Sequence, residues 1–367
     1  MTHISPQSSQ LQLTPAFLNS VLRPFLETDH AMVIEVKEEQ LAGQFNADLR
    51  RLFLTYDQPA GMALQSLIAK LPTTDSRLNE RAAVFQPGSR ENWFYSSAAS
   101  RSSVPIPFCY YNAIDNATGQ SILLLEDLSH APTGNQFKGA TVEQAELALT
   151  SLARLHAGWW NDTSSMAIQE LMQLIAQNWE VEQNLVGELY DRAWPHFLRQ
   201  ALVSMPDDVR RFGSALVGNM KVVDALIDQA PKTLVHGDFR VENIHFGNRN
   251  NQAICWLIDW EDVFWGSGMV DVSWFLGGCL PIEESHHEMR ILQHYYQTLH
   301  EEGIKNYSWE RCYYDYRCGM VSSFVQGVLS ATLDDDANEE EHHLAQVVSQ
   351  RFIYAAQHLH LAEILSV

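Results

Sequence analysis

Three polar side chains in the second half of the chain have the chemistry to move a phosphoryl group. Asp238 and Asn243 lie in the segment His236-Gly237-Asp238-Phe239-Arg240-Val241-Glu242-Asn243, and Asp259 follows the apolar pair Leu257-Ile258. An aspartate in a turn can accept a proton from a hydroxyl group. Amide and carboxylate oxygens are the hard ligands that Mg²⁺ prefers. The set therefore suits phosphoryl transfer from a nucleotide to a hydroxyl, a reaction that depends on alignment and on neutralisation of charge.

Two short β segments inside a largely helical half of the chain must position these side chains. They lie around Leu234-Val235 and at residues 255–258, and residues 247–251 are expected to form the hairpin turn that separates them. Strand pairing would then bring Asp259 close to Asn243. Helical character is predicted for residues 166–202, with a break or kink at Pro195, and for residues 208–230 and 344–365.

The first third of the chain has a different character, typical of an antiparallel sheet. Thr14-Pro15 is an N-cap pattern that opens a short helix. Strands are predicted at residues 32–36, 49–56, 64–71, 108–113 and 121–125, with a helix at 79–95 that Pro87-Gly88 interrupts. We expect an α+β fold with two lobes: a β-rich N-terminal lobe at residues 1–127 and a larger, mainly helical C-terminal lobe at residues 128–367.

The order and spacing of these motifs resemble the aminoglycoside phosphotransferase and choline kinase superfamily, which is built like a protein kinase. His236-Gly237-Asp238 to Asn243 and Ile258-Asp259-Trp260 stand where protein kinases have His-Arg-Asp-x-x-x-x-Asn and Asp-Phe-Gly. The segments 123–128 and 155–160 look most like the ecdysteroid kinase-like branch. The resemblance implies a bilobal protein-kinase-like fold and the cofactors ATP and Mg²⁺. It also implies that Asp238 is the catalytic base and that Asn243 and Asp259 are the metal ligands.

Further positions resemble the parts of this family that hold the nucleotide. Lys70, on the third strand, matches the lysine that contacts the α- and β-phosphates, and Glu91 matches the helix glutamate that pairs with it. Glu80 is an alternative partner on the same stretch. The turn from Gly43 to Asn46 stands where the family has its phosphate-covering loop, although it contains only one glycine.

The segment that carries Glu126 and Leu128 closely resembles the family's hinge, whose backbone hydrogen-bonds adenine. Arg240 has the offset from Asp238 at which protein kinases place a lysine. We therefore expect Arg240 to stabilise charge on the γ-phosphoryl group. A salt bridge from Arg240 to Glu242 or Asp262 is the structural alternative.

Two more matches to the family are expected to be structural. Asp271 stands where the family has an acid that braces the catalytic loop, and we interpret it as an acceptor of backbone N–H groups at a helix N-terminus. His156 is interpreted as a packed helix histidine and not as a ligand.

The bulk composition excludes some partners. Of 367 residues, 46% are hydrophobic and 19% are charged, and the formal net charge is −21. Such a negative surface repels nucleic acid and anionic lipid, so neither is expected as a partner. The odd number of cysteines, five, without a Cys-x-x-Cys motif indicates free thiols. With a polar N-terminus and no long apolar run, the sequence predicts a cytoplasmic protein. The composition does not decide the oligomeric state.

The resemblance to the ecdysteroid kinase-like branch implies that the acceptor is a small-molecule alcohol. The absence of an Ala-Pro-Glu activation segment after Asp259 disfavours phosphorylation of a protein. A sterol-like compound, an amino alcohol and an aminoglycoside-like compound all stay open. Residues 334–341 form an acidic segment, expected to be a solvated loop, that could contact an amine. Two other functions remain: a catalytically silent nucleotide-binding scaffold, and a hydrolase that uses Asp238 and Asp259 as an acid–base pair.

Overall fold

The computed structural model describes residues 13–26, 31–41, 47–58, 64–73, 83–115, 118–200, 205–331 and 339–366. The chain forms two compact units. Unit 1 consists of Met1–Ser100, Ile106–Ala131 and Trp260–Asp262, and unit 2 consists of Arg101–Pro105, Pro132–Asp259 and Val263–Val367. The lobe boundary after residue 127 remains a prediction.

Unit 1 is built on an antiparallel five-stranded sheet. Helix α1 (Pro15–Leu22) begins after Thr14, whose hydroxyl accepts a hydrogen bond from the Phe17 amide at 3.2 Å, as the N-cap pattern predicts. The sheet has the order β1-β2-β3-β5-β4. Its strands are β1 (Val33–Gln40), β2 (Ala47–Tyr56), β3 (Ser66–Pro72), β4 (Cys109–Ile114) and β5 (Ser121–Glu126).

The central strands of this sheet hold the core of unit 1. Leu52, Leu67, Ala69 and Leu124 are fully buried and pack with apolar residues of α1. Helix α2 (Pro87–Trp93) continues as a π-helix at Phe94–Ala98. The predicted interruption at Pro87-Gly88 is confirmed: residues 83–85 are helical, Gln86 has a φ of +50°, and Pro87 begins α2, where its fixed φ and missing N–H cost nothing.

Unit 2 is mainly helical. Gln144 completes a capping box with Thr141 at the start of α3. The helices are α3 (Val142–Gly158), α4 (Met166–Ala176), α5 (Trp179–Gln200), α6 (Asp207–Leu216), α7 (Lys221–Ile227), α8 (Met269–Cys279), α9 (Glu288–Glu301), α10 (Trp309–Ala331), α11 (Glu339–His358) and α12 (Leu361–Ile364). None of the described helices is long and apolar enough to cross a membrane.

Two helix predictions in unit 2 were wrong in detail. The break falls at residues 177–178, between α4 and α5, and α5 continues through Pro195. Pro195 has no N–H and cannot make a helical hydrogen bond, but the side chains of Trp194 and Phe197 next to it are buried and stabilise the helix there. Glu339, Glu340 and Glu341, predicted as part of an acidic loop, form the first turn of α11, where negative charge favours the helix N-terminus. Residues 334–338 lie outside the described residues.

The predicted hairpin also has a different first strand. Strand β6 (Lys232–Val235) pairs with β9 (Phe264–Ser267), whereas the hairpin joins β7 (Ile244–Arg249) to β8 (Gln252–Leu257). Asn250 and Asn251 form its turn, both with positive φ, which is the geometry of a two-residue hairpin and which asparagine tolerates. Residues 236–243, named the catalytic segment after the candidate base Asp238, therefore form the connection between β6 and β7.

A buried carboxylate links three helices of unit 2. Glu288, at the start of α9, accepts a hydrogen bond from the Tyr316 hydroxyl of α10 at 2.9 Å and lies 2.9 Å from His358 Nε2 of α11. Burial lowers the pKa of His358, but the hydrogen bond and charge of Glu288 and the Tyr354 carbonyl outweigh burial and raise it. The charged pair therefore contributes stability below the unfolded pKa of histidine, and this contribution is lost as the pH rises through the folded pKa.

This pair predicts a pH-dependent difference between the wild-type chain and His358→Gln. The wild type is expected to be more stable by about 1 kcal/mol at acid pH, and the difference should shrink as the pH rises above about 6.5. Urea unfolding of both proteins at a series of pH values measures it. A difference that grows with pH would contradict the assignment.

Candidate active site

The catalytic segment is held in place by a buried carboxylate of unit 2. Gly237 has a φ of +90°, which turns the chain sharply after β6. Asp271, in the first turn of α8, accepts hydrogen bonds from the His236 amide at 2.7 Å and the Gly237 amide at 2.9 Å. Asp271 is completely buried. It thus has the structural role expected, and the amides that it accepts belong to the catalytic segment.

His156 completes this anchor and is itself fully buried. Its Nε2 lies 3.2 Å from Asp271 Oδ2, and its Nδ1 lies 2.7 Å from the hydroxyl of Tyr295 on α9. Burial raises the pKa of Tyr295 far above its ordinary value, so this hydroxyl stays protonated. The interpretation of His156 as a packed helix histidine is confirmed.

Asp238 has one carboxylate oxygen engaged and one available. Its Oδ2 accepts hydrogen bonds from Arg240 Nε and Asn243 Nδ2, both at 2.9 Å. No described residue hydrogen-bonds its Oδ1. The carboxylate is therefore fixed through one oxygen, while the other can take a proton from a hydroxyl group.

Asn243 has the corresponding arrangement. Its Nδ2 donates to the backbone oxygen of Asp238 at 2.9 Å as well as to the carboxylate. Because both partners are oxygens, the nitrogen must face them, and the carbonyl oxygen of the side chain must face away. This oxygen has no hydrogen-bond partner among the described residues, and it is the atom with which Asn243 could bind a metal ion.

Asp259 lies two residues beyond the last residue of β8 and has an unusual backbone conformation. The amide of Ile258 donates a hydrogen bond to the backbone oxygen of Asn243 at 3.0 Å. Because Asp259 is the next residue after Ile258, its backbone lies close to that of Asn243. Asp259 has a φ of +67°, in the left-handed region that side chains other than glycine, asparagine and aspartate rarely adopt. A non-glycine residue kept in this conformation costs free energy and is found most often at functional sites.

The backbone of Asp259 predicts a difference between two substitutions that remove the same carboxylate. Asp259→Gly should be more stable than Asp259→Ala by about 1 kcal/mol, because only glycine adopts this φ without strain. Urea unfolding of the two variants at one pH measures the difference. Equal stabilities would show that the chain does not need a positive φ there.

Arg240 lies between two carboxylates of its own segment. Its Nε is 2.9 Å from Asp238 Oδ2, and its Nη1 is 3.1 Å from Glu242 Oε2. The alternative salt bridge to Glu242 is therefore present. Burial lowers the pKa of Arg240, but Asp238, Glu242 and Asp259 outweigh burial and raise it. Its Nη2 has no hydrogen-bond partner among the described residues, so the guanidinium can bind one more anion.

A second brace of the segment comes from the far end of the chain, and sequence reasoning missed it. Glu242 Oε1 accepts the Gln136 amide at 3.3 Å. Arg351 of α11, which is buried, donates to the backbone oxygens of Gln136, Gly278 and Phe137 at 2.8, 2.9 and 3.0 Å. No motif marks this arginine, because its partners are backbone carbonyls from distant parts of the chain.

We expect Arg351→Met to loosen the catalytic segment as well as destabilise the chain. Loss of three buried hydrogen bonds should lower the free energy of unfolding by about 3 kcal/mol. Amide hydrogen exchange should accelerate at Gln136 and Val241. The control is Arg317→Met, because Arg317 also donates to two backbone oxygens, those of Leu359 and His360, both at 2.9 Å. Equal acceleration at Gln136 and Val241 in both variants would contradict this assignment.

Unit 1 contains a buried charge cluster around Lys70. On β3, Lys70 is paired between Leu49 of β2 and Leu123 of β5. Its Nζ lies 2.7 Å from Glu91 Oε2 and 2.9 Å from Glu261 Oε2, and all three residues are buried. The described structure thus contains the ion pair of Lys70 with Glu91.

Sequence reasoning missed Glu261. Its signal was an acid two residues after Asp259, in Asp259-Trp260-Glu261. The neighbouring Trp260 is fully buried in unit 1 and stacks on Phe94, with ring centroids 3.7 Å apart. Glu80, Gly43 and Asn46 lie outside the described residues.

The predicted hinge uses its acidic side chains internally. Glu126 Oε2 accepts the Phe108 amide at 3.1 Å, and the amide of Glu126 donates to the Phe108 oxygen at 2.8 Å. The carboxylate of Asp127 accepts Arg51 Nε and the Ser129 amide, both at 3.0 Å. Leu128 is buried. Any contact of Glu126 or Leu128 with a nucleotide base must therefore come from the backbone.

Solved structures similar to this chain share a protein-kinase-like phosphotransferase fold. A Ralstonia eutropha JMP134 protein provisionally assigned as an aminoglycoside phosphotransferase has a TM-score of 0.55 at 15% identity, and the match covers 96% of this chain and 98% of that chain. Choline kinase from Cryptosporidium parvum Iowa II has a TM-score of 0.51 at 7% identity, with 96% of each chain covered. Aminoglycoside 2'-phosphotransferase-IIIa, solved with GDP, has a TM-score of 0.51 at 10% identity, with 93% and 99% covered. The predicted α+β, protein-kinase-like fold is confirmed.

The sequence itself identifies the family. The sequence model of the ecdysteroid kinase-like family matches residues 49–306, well over half of the chain, and the chain belongs to this family. The predicted superfamily and branch are confirmed. Membership makes the protein a phosphotransferase that acts on hydroxyl groups of small molecules. No curated protein matches the chain in sequence.

Proposed function

We propose that this protein is a Mg²⁺-dependent kinase that transfers the γ-phosphate of ATP to a hydroxyl group of a small molecule. The observation that carries the proposal is the state of Asp238. One of its oxygens is fixed by Arg240 and Asn243, and the other has no hydrogen-bond partner among the described residues. A carboxylate held in this way is suited to orient an acceptor hydroxyl and to take its proton.

The remaining residues neutralise the charge of the phosphates or bind the metal ion. Lys70, held by Glu91, neutralises the α- and β-phosphates, and Arg240 uses its remaining Nη2 donor for the transferring phosphoryl group. Asn243 and Asp259 have the oxygen ligands that suit Mg²⁺, and the amide orientation of Asn243 leaves its carbonyl oxygen available. When bound, the ion would neutralise charge that develops on the phosphates.

The nucleotide contacts of the hinge and of the glycine turn belong to the same proposal. The backbones of Glu126 and Leu128 hydrogen-bond adenine, and the backbone from Gly43 to Asn46 covers the phosphates. Support for the hinge comes from Glu126, whose carboxylate and backbone amide are both engaged with Phe108, so its backbone oxygen is the group that would contact the base. The resemblance alone supports the glycine turn.

For the acceptor, we propose a neutral or cationic alcohol that contains rings, with sterol-like polyols first. The name of the ecdysteroid kinase-like family supports a sterol-like acceptor. The net charge of −21 disfavours an anionic one. Amino alcohols and aminoglycosides are the other classes to be screened. We also propose a cytoplasmic location, which the five free cysteines support.

Nucleotide binding is tested by thermal shift with ATP, in the presence of Mg²⁺ or of a chelator. The wild type should be stabilised by ATP with Mg²⁺, and Asp259→Asn and Lys70→Met should lose most of that shift. Asp228→Asn is the control, because Asp228 is a surface residue that pairs with Lys232. Absence of any shift in the wild type would reject every nucleotide-dependent function.

Turnover is tested by a pooled screen of sterols, amino alcohols and aminoglycosides for ATP-dependent phosphorylation. Asp238→Asn should retain the ATP shift but lose turnover by about 10²- to 10⁴-fold, because the amide cannot accept the proton. Full turnover in this variant would reject the assigned base. A nucleotide shift without turnover on any alcohol would support the silent scaffold instead.

A further inference from the structure

A cluster of metal-binding side chains lies in unit 2 outside the proposed active site. The 3₁₀ helix Ile282–His287 connects α8 to α9 and contains Glu284, His286 and His287. One carboxylate oxygen and one ring nitrogen from each histidine all lie within 4.8 Å of one another. The two imidazole centroids are 3.9 Å apart, and His287 Nε2 lies 3.7 Å from Glu284 Oε2.

The local backbone explains why these groups converge. A 3₁₀ helix has three residues per turn, so residues three apart stand directly above each other. Glu284 and His287 have this spacing. An α-helix would place the same two positions on one face but offset them by about 60° around the axis. The short helix therefore places a carboxylate over an imidazole, and the adjacent His286 brings in a second imidazole.

A hydrogen bond orients the His286 ring in the absence of a metal ion. His286 Nδ1 lies 3.0 Å from the backbone oxygen of Glu283, and since a carbonyl only accepts, this nitrogen must hold the hydrogen. In the neutral imidazole, Nε2 then has the lone pair that a metal ion can bind. Histidines that bind metals typically donate their other nitrogen to a carbonyl or carboxylate in this way.

The backbone around these side chains is tied to other helices. The hydroxyl of Ser285 donates to the hydroxyl of Tyr354 on α11 at 3.0 Å. Glu288, the residue after His287, is buried in its network with Tyr316 and His358. Ordering the three ligands around an ion therefore costs little conformational entropy.

We propose that Glu284, His286 and His287 bind a Zn²⁺ ion, with water in the fourth position. Two imidazoles and one carboxylate are ligands of the type that zinc sites use. Four ligands about 2 Å from a tetrahedral zinc lie about 3.3 Å apart, so the 3.7 Å between His287 and Glu284 needs little adjustment. Mg²⁺ prefers oxygen ligands only, and this site is therefore chemically distinct from the proposed nucleotide metal.

The structural alternative is an ordinary ion pair between Glu284 and a protonated His287. The two explanations differ in the role of His286, because the ion pair does not need it, whereas the zinc site does. They also differ in their response to Zn²⁺. A metal that binds only the folded chain raises its stability by mass action, and a surface ion pair gives no such effect.

The test is isothermal titration of the whole chain with zinc chloride, in excess Mg²⁺, together with thermal unfolding. The wild type should bind one Zn²⁺ at this site and unfold at a higher temperature with it. His286→Gln and His287→Gln should each weaken the binding by about tenfold or more. All three proteins should show the same unfolding temperature in chelator, because the substitutions lie on the surface.

The matched control is the second adjacent histidine pair, His342 and His343, which follows Glu341 on α11. His342→Gln/His343→Gln should retain the zinc affinity of the wild type. The proposal is overturned if the wild type binds no zinc, if His286→Gln binds it as well as the wild type, or if the control variant loses it. Substitution with Co²⁺ gives an independent measurement, since a visible absorption band dependent on both His286 and His287 reports coordination directly.

Discussion

The fully buried carboxylate of Asp271 is the constraint on which the catalytic segment depends. A buried charge without partners is too costly to persist, so Asp271 must be satisfied by hydrogen bonds. It obtains them from the amides of His236 and Gly237 and from His156. The same bonds that stabilise the carboxylate fix the turn that presents Asp238. Burial of Asp271 in the helical core and the turn that presents the proposed base therefore depend on the same hydrogen bonds.

Beyond Asp271, ion pairs and a hydrogen bond fix the rest of the catalytic segment. Arg240 is shared between Asp238 and Glu242, and Glu242 in turn accepts the amide of Gln136. Arg351 holds the carbonyl side of that stretch from the last long helix. Residues more than 100 positions apart thus fix the orientation of one carboxylate. Arg240 could bind a phosphate while it keeps its salt bridges, because the pairs with Asp238 and Glu242 use Nε and Nη1 and leave Nη2 for a further anion.

The sequence predicted what depends on local pattern. The N-cap at Thr14, the strands of the first sheet and the acid–amide–acid order in residues 236–259 follow from spacing and residue type. It failed where pairing is non-local. Nothing in Leu234-Val235 shows that its partner is β9 and not β8, since a four-residue strand fits either neighbour. The hydrogen bonds from Arg351 to backbone carbonyls could not be predicted from the sequence either, because every residue has the same backbone carbonyl.

The charge balance around Lys70 limits how a nucleotide phosphate can bind there. In unit 1 this buried ammonium pairs with two carboxylates, so the cluster with Glu91 and Glu261 has an excess of one negative charge if all three groups are ionised. Phosphates add further negative charge, and one lysine cannot compensate for both acids and a nucleotide. Glu91 lies slightly nearer to the lysine and is carried by α2, whereas Glu261 follows Asp259 by two residues. A nucleotide phosphate that reaches Lys70 must therefore replace a carboxylate or arrive with its own cation. This electrostatic balance favours a nucleotide that arrives together with a cation, and it supports the proposal that the cation is Mg²⁺.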